Sequence, residues 1–160
     1  MHIQLLDKKH TFRRITQSMN PFKLKIPLVI RFADFDALGH VNNAKYLTYF
    51  EIARIRYFEE IITGGKVNWL KDGIIVAKAT IDFKYPLDGY DNYFISISCT
   101  RIGNKSLDFS YMIFLEKDTQ TTVIAEGVTV MVCYDYQKNE SIPVRPEWRA
   151  AISRFEGKEF

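Results

Sequence analysis

The stretch FADFDALGHVNNAKYLTYFEIAR, residues 32–54, changes character halfway through. Up to Asn43 it is rich in Asp, Gly, His and Asn, residues that turn a chain and cap helix ends. From Tyr46 onward the apolar residues Tyr46, Phe50, Ala53, Tyr57 and Ile61 recur at spacings of four and three, which predicts a helix with a continuous apolar stripe. Leu47, Tyr49, Ile52, Ile55 and Phe58 widen that stripe and leave Lys45, Thr48, Glu51, Arg54, Arg56 and Glu59 as the polar remainder, so most of the circumference is expected to be buried. A helix buried on most sides needs other structure wrapped around it. The side chain of Asn42 or Asn43 can accept from an orphan N–H of the first turn, and Gly64-Gly65 supply a stop.

The flanking sequence supplies the wrapping. Upstream, LKIPLVIRF (Leu24 to Phe32) reads as a strand, and Pro27, which cannot donate to a ladder, argues for an edge or a bulge. Downstream, Ala77, Ala79, Ile81, Phe83 and Tyr85 alternate with Lys78, Thr80, Asp82 and Lys84, a half-buried strand with a small inner face. After a turn over 86–91, Tyr93, Ile95, Ile97 and Cys99 alternate with Phe94, Ser96, Ser98 and Thr100. Gly103-Asn104 reads as a two-residue hairpin turn into Leu107, Phe109, Tyr111, Ile113 and Leu115, and a further strand runs from Val123 to Tyr134. The run IPVRPEWRAAISRFE closes with a short amphipathic helix. No helix separates the later strands, so parallel crossovers have no room and the sheet is expected to be antiparallel, curled around the one long helix in an α+β fold. Residues 1–22 show no period and read as an N-terminal arm before a single domain, 23–160.

Composition narrows the function classes. A chain of 160 residues and 18.7 kDa builds one domain with its own core. With 26% charged residues and no apolar run long enough to span a bilayer, it does not read as a membrane protein. The opening MHIQLLDKKHTFRRITQSMN lacks a secretory h-region and cleavage site, so a cytoplasmic location is expected, with Cys99 and Cys133 reduced and buried. A net charge of +3 falls short of the clustered basic face of a nucleic-acid binder and suits an anionic small ligand. His2, His10 and His40 share no ligand spacing, and there is neither a G-x-S-x-G elbow nor a Gly-rich phosphate loop, so no metal and no cofactor are expected.

The runs RFADFDALGHVNNAKYLTYFEIAR, YPLDGYDNYFISISCTRIGNKSLDFSY and AEGVTVMVCYD resemble the hot-dog-fold acyl-CoA thioesterases, the group related to 4-hydroxybenzoyl-CoA thioesterase and the bacterial long-chain acyl-CoA thioesterases. The resemblance spans roughly residues 24–155, and D-x-D-x-x-G-H-V-N-N-x-x-Y followed by E-x-A-R is too long to arise readily by chance. It implies a hot-dog fold and hydrolysis of an acyl-CoA to the free acid and CoA, with Asp36 as general base or nucleophile and the backbone N–H of Asn43 as oxyanion donor. A homodimer or homotetramer is implied as well. The chemistry agrees: a thioester carbonyl turns anionic under attack, and donors preset at a buried helix N-terminus favour negative charge there, while a carboxylate can attack the carbonyl or deprotonate a water. The hydroxybenzoyl branch has an apolar residue where this chain has His40, and the plant acyl-carrier-protein thioesterases place an Asn where it has Leu38.

Each of these residues also has a plainer reading. Asp36 by itself caps a turn, and Asp34 beside Arg31 reads as a charge pair that orders a loop. His40 reads equally as catalytic or structural. Tyr46, Tyr49 and Phe50 are core or acyl-pocket wall, and Glu51 with Arg54 has the spacing of a surface ion pair. Arg101, Lys105 and Ser106 around the Gly103-Asn104 turn form a candidate cradle for the CoA phosphates, or a solvated turn. The rival for the whole chain is a non-catalytic acyl-CoA-binding or sensing module, since a fold does not fix an activity.

Overall fold

In a computed structural model that describes residues 22–70 and 72–160, one antiparallel sheet curls around one long helix. The elements are β1 (Leu24–Pro27), a 3-10 turn (Phe32–Asp34), α1 (Asn43–Tyr57) running on into a π turn (Phe58–Ile62), β2 (Ile74–Phe83), β3 (Tyr93–Ile102), β4 (Ser106–Lys117), β5 (Gln120–Asp135), β6 (Glu140–Ser141) and α2 (Pro146–Glu156). The sheet order is β1-β3-β4-β5-β2, with β6 added to the far end of β5, and every pairing is antiparallel. The N-terminal arm read from the sequence falls outside the described residues apart from Phe22.

The apolar stripe does what its spacing demands. Tyr46, Tyr49, Phe50, Ala53, Tyr57 and Phe58 are all at most 2% exposed and face the inner side chains of β3, β4 and β5. Each such aromatic contributes about 1.5–3 kcal/mol through burial, so this interface dominates the stability of the domain. Asn42 is the N-cap, its Oδ1 accepting from the Ala44 N–H at 3.0 Å. The helix unwinds through the π turn and stops at Thr63, whose N–H bonds the Phe58 carbonyl, just before Gly64 takes φ +64°. At the other end of the chain, Pro146 opens α2 and Gly157 closes it in the left-handed conformation. Glu156, in the last turn of α2, accepts from Tyr57 Oη at 2.7 Å, Ser98 Oγ at 3.0 Å and the Cys99 N–H at 2.8 Å, tying α2 to both α1 and β3.

Four details differ from the sequence reading. The first strand ends at Pro27, on the sheet edge that its proline requires, and Phe32–Asp34 turns instead of extending because Asp34 caps Arg31 from three residues ahead. β2 is exposed on nearly its whole length: it is the other edge, and a bulge between Val76 and Lys78 takes Ala77 out of the alternation, leaving Ala79, Ile81 and Phe83 opposite Thr129, Gly127 and Ala125. A second bulge, between Cys99 and Arg101, shifts the β3–β4 register so that Asn104 and Lys105, not Gly103 and Asn104, are the central turn residues, closed by Gly103 N–H to Ser106 O at 2.8 Å. Finally, α1 is not covered all round in this chain. Leu47 and Ile52 stay 46% and 44% exposed, while Arg54 is only 8% exposed and donates to Tyr111 Oη at 3.3 Å. No Glu51–Arg54 pair forms among the described residues, because the guanidinium turns inward to the polar Tyr111–Thr129 pair and Glu51 outward to solvent.

Candidate active site

The loop from Asp34 to Asn42 folds back on itself between the 3-10 turn and α1. A bridge pairs Phe35 with Val41, Asp36 N–H donates to the His40 carbonyl at 2.9 Å, and Asn42 N–H donates to the Asp34 carbonyl at 2.9 Å. Gly39 turns the tip with φ +77°, a value glycine adopts without strain. Val41, 3% exposed, pins the loop to the body of the domain through its N–H to the Leu87 carbonyl at 2.8 Å. The tight loop thus follows from Gly39 at the tip and acids at its base.

This folding sets Asp36 opposite His40, in the same tight loop that ends at the Asn42 cap of α1. The Asp36 carboxylate is half-buried, and its Oδ1 accepts from the Leu38 N–H at 2.9 Å, a turn-capping bond that leaves Oδ2 without a partner among the described residues. At the helix start, the Ala44 N–H goes to the Asn42 side chain and the Lys45 N–H to the Asn42 carbonyl, while the exposed N–H of Asn43 has no partner among the described residues. A free main-chain donor at the positive end of a buried helix is suited to a developing oxyanion. His40 lies on the same loop with its side chain exposed.

Beneath the loop lies a carboxylate that the sequence reading assigned to loop order. Asp34 is fully buried and takes hydrogen bonds from the Arg31 N–H at 2.9 Å, Arg31 Nη2 at 3.0 Å and Tyr49 Oη at 3.0 Å, with Lys45 Nζ 3.8 Å away. Burial by itself pushes such an acid up, but the side-chain and main-chain bonds from Arg31 and the bond from Tyr49 outweigh it and hold Asp34 below the usual carboxylate range. The pairing with Arg31 was legible in the sequence. The part played by Tyr49 was not, since on a helical wheel Tyr49 is one more aromatic of the core.

The other candidate residues lie elsewhere. Tyr46 and Phe50 are closed inside the core, Tyr46 edge-on to Phe83 at 4.9 Å between ring centroids and Phe50 stacked on Tyr111. Arg101, Lys105 and Ser106 sit at the end of β3 remote from the Asp36 loop, about 30 Å of strand away. Arg101 Nε bonds Asp108 at 2.8 Å, and Lys105 Nζ bonds the Ser141 carbonyl at 2.7 Å. Cys99 and Cys133 are buried free thiols pushed up to about 12 and about 11, chiefly by burial, which makes them poor nucleophiles. Among the described residues, no group of three His, Cys, Asp or Glu side chains gathers to hold a metal ion, and no helix is long and apolar enough to cross a membrane.

One antiparallel sheet curled around one long helix is the architecture of the hot-dog thioesterases. The chain belongs to the thioesterase-like superfamily, which it matches over residues 30–152, and it is thus a thioester hydrolase by class. It is 24% identical over 134 residues to the long-chain acyl-CoA thioesterase FadM of Escherichia coli, covering 82% of this chain and 98% of that one. It is 24% identical over 114 residues to a chloroplastic acyl-acyl carrier protein thioesterase of Arabidopsis thaliana, covering 71% of this chain and 60% of the plant protein. A crystal structure of a Thermus thermophilus thioesterase, complexed with coenzyme A and Zn, superposes with a TM-score of 0.76 at 31% identity, covering 89% of this chain and all of the other.

Proposed function

We propose that this protein hydrolyses acyl-CoA thioesters to the free acid and CoA, with Asp36 as general base or nucleophile and the Asn43 N–H as oxyanion donor. The observation that carries the reading is the unpartnered Asn43 N–H at the start of α1, just after the tight loop that holds the half-buried Asp36 carboxylate. An acyl carbonyl lodged between them is polarised by the N–H and the helix dipole, and Asp36 attacks it or deprotonates the attacking water. The Escherichia coli relative, named a long-chain acyl-CoA thioesterase, and the coenzyme A complex of the Thermus thermophilus protein support a CoA ester, with an acyl-carrier-protein ester, as in the name of the plant relative, the alternative. Tyr46 and Phe50 belong to the closed core, so the acyl chain is covered by other groups, and His40 assists at the thioester.

The site is completed by a second copy of the chain, in a homodimer or homotetramer. Val29, Phe32, Leu38 and Tyr90 are between 65% and 87% exposed around or near the Asp36 loop, and β2 presents an unpaired edge carrying Ile75, Val76 and Phe83. Water-excluded chemistry and an apolar sheet edge both call for cover. In such an assembly Arg101, Lys105 and Ser106, too far from the Asp36 of their own chain, are offered to CoA phosphates held by a neighbouring copy. The deciding experiment is release of free thiol from acyl-CoAs of several chain lengths. Steady turnover that rises and falls with chain length supports the proposal. Tight binding of the same acyl-CoAs without thiol release overturns it in favour of a binding module.

A further inference from the structure

Asp34 ties the turn before the candidate loop to both the helix cap and the second turn of α1. Its carboxylate is bonded to Arg31, at the exit from β1, and to Tyr49, in the second turn of α1. Lys45, in the first turn, flanks it. Its carbonyl takes the N–H of Asn42, the residue immediately before the free Asn43 donor, and its chain neighbour Phe35 leads directly into Asp36. A fully buried carboxylate costs several kcal/mol unless its lone pairs are met, and this one is met from two segments, by Arg31 of its own turn and Tyr49 of α1. Another turn of the chain is ordered with less: the Asp135 turn is closed by two main-chain N–H groups on a half-buried residue.

We infer that Asp34 is a positioning residue which, through Tyr49 and Arg31, fixes the separation between the Asp36 carboxylate and the Asn43 N–H. The inference rests on the proposed roles of those two groups. Misplacement of a reacting group by about 1 Å can cost on the order of a hundredfold in rate, so a buried clamp at the base of a small loop is where such precision would be built.

The test uses Asp34→Asn, which keeps the shape and loses the charge, and Tyr49→Phe, which removes a single hydroxyl. Each is made in the wild type and in an Asp36→Asn background. For Asp34→Asn, kcat per folded molecule is expected to fall about tenfold or more, with KM and the affinity for a non-hydrolysable acyl-CoA thioether within about threefold. Tyr49→Phe falls by a smaller factor in the same direction. In the Asp36→Asn background both changes have little further effect, because the acid they position is already gone. A merely structural Asp34 lowers the melting temperature and the folded fraction, leaves kcat per folded molecule within twofold, and multiplies with Asp36→Asn; either of the last two results overturns the inference. If Asp34→Asn does not fold, Tyr49→Phe and its double variant decide the matter alone. A wild-type protein without turnover overturns the functional reading and this inference together, whereas an active wild type with unaffected variants overturns this inference only.

Discussion

Phe50 lies flat on Tyr111, their ring centroids 4.2 Å apart and their planes 6° from parallel, and the edge of Phe50 fills the space that a side chain at Gly127 would occupy. A Cβ at position 127 would stand 2.6 Å from Phe50 Cζ and 2.7 Å from the Thr80 carbonyl oxygen. Neither can retreat easily, since Phe50 is wedged between α1 and β4 and Thr80 belongs to the β2–β5 ladder. Gly127→Ala is therefore expected to destabilise the fold by about 1–3 kcal/mol, read as a lower urea midpoint with an unchanged m-value.

Asp36 bears the chemistry in the proposed mechanism, and asparagine preserves its turn-capping bond to Leu38. Asp36→Asn should fold normally and lose about two to four orders of magnitude in turnover while still binding acyl-CoA. Near-normal turnover would reduce Asp36 to a turn cap. His40→Ala measured alongside assigns the histidine: exposed as it is, a large loss of turnover at unchanged melting temperature makes it part of the reaction.

Self-association is expected to run through the open edge at β2. Val76, 50% exposed beside the bulge on this edge strand, is a suitable place for a charge. Val76→Lys should shift the protein toward monomer in sedimentation and lower thiol release in parallel. A wild-type protein that sediments as an 18.7 kDa monomer at micromolar concentration contradicts the proposed assembly.

The depressed Asp34 carboxyl makes stability depend on pH in a stated direction. Because its folded pKa lies below the unfolded value near 3.9, its contribution is fully present above that value and fades as the pH falls through the folded one. The stability gap between wild type and Asp34→Asn should be flat from about pH 7 to pH 5 and shrink below about pH 4. A gap that widened on acidification would mean that burial, not the Arg31 and Tyr49 bonds, governs the carboxyl.

The Arg101 and Lys105 cations are expected to matter only where copies meet. Replacing both by Ala should raise the acyl-CoA KM, more at low salt than at high, with kcat little changed. An unchanged KM and salt dependence would leave them as local ties to Asp108 and Ser141.

The parts of this fold legible in the sequence were those written as periodicity. The central α1 stripe and the inward residues Tyr93, Ile95, Ile97 and Cys99 of β3 and Leu107, Phe109, Tyr111 and Ile113 of β4 stand where their spacing put them, while the cap, open in the sequence between Asn42 and Asn43, falls to Asn42, and Ser96, Met112 and Phe114 are buried against the alternation. Bulges leave no such mark, since one extra residue at Ala77 or Thr100 looks like any other until the partner strand is seen; the β2 face and the hairpin turn were misjudged for that reason. The edge status of β2 is not written in the sequence either, because alternating apolar residues read alike whether their cover comes from the same chain or from another. In the candidate site, the loop and the cap were written in the D-x-D-x-x-G-H-V-N-N run, whereas the inward turn of Arg54 and the bond from Tyr49 to Asp34 depend on side-chain directions that helical spacing does not specify.

Glu156 gives the domain an order of assembly. Its carboxylate joins Tyr57 of the central helix to Ser98 and Cys99 of β3, and Trp148 and Ile152 of the same α2 are themselves core residues. All of these late residues follow every strand in the chain. A nascent polypeptide emerging from the ribosome would therefore hold its long aromatic helix against an unfinished wall until α2 appears, and during that interval it is the piece of this protein most in need of a chaperone.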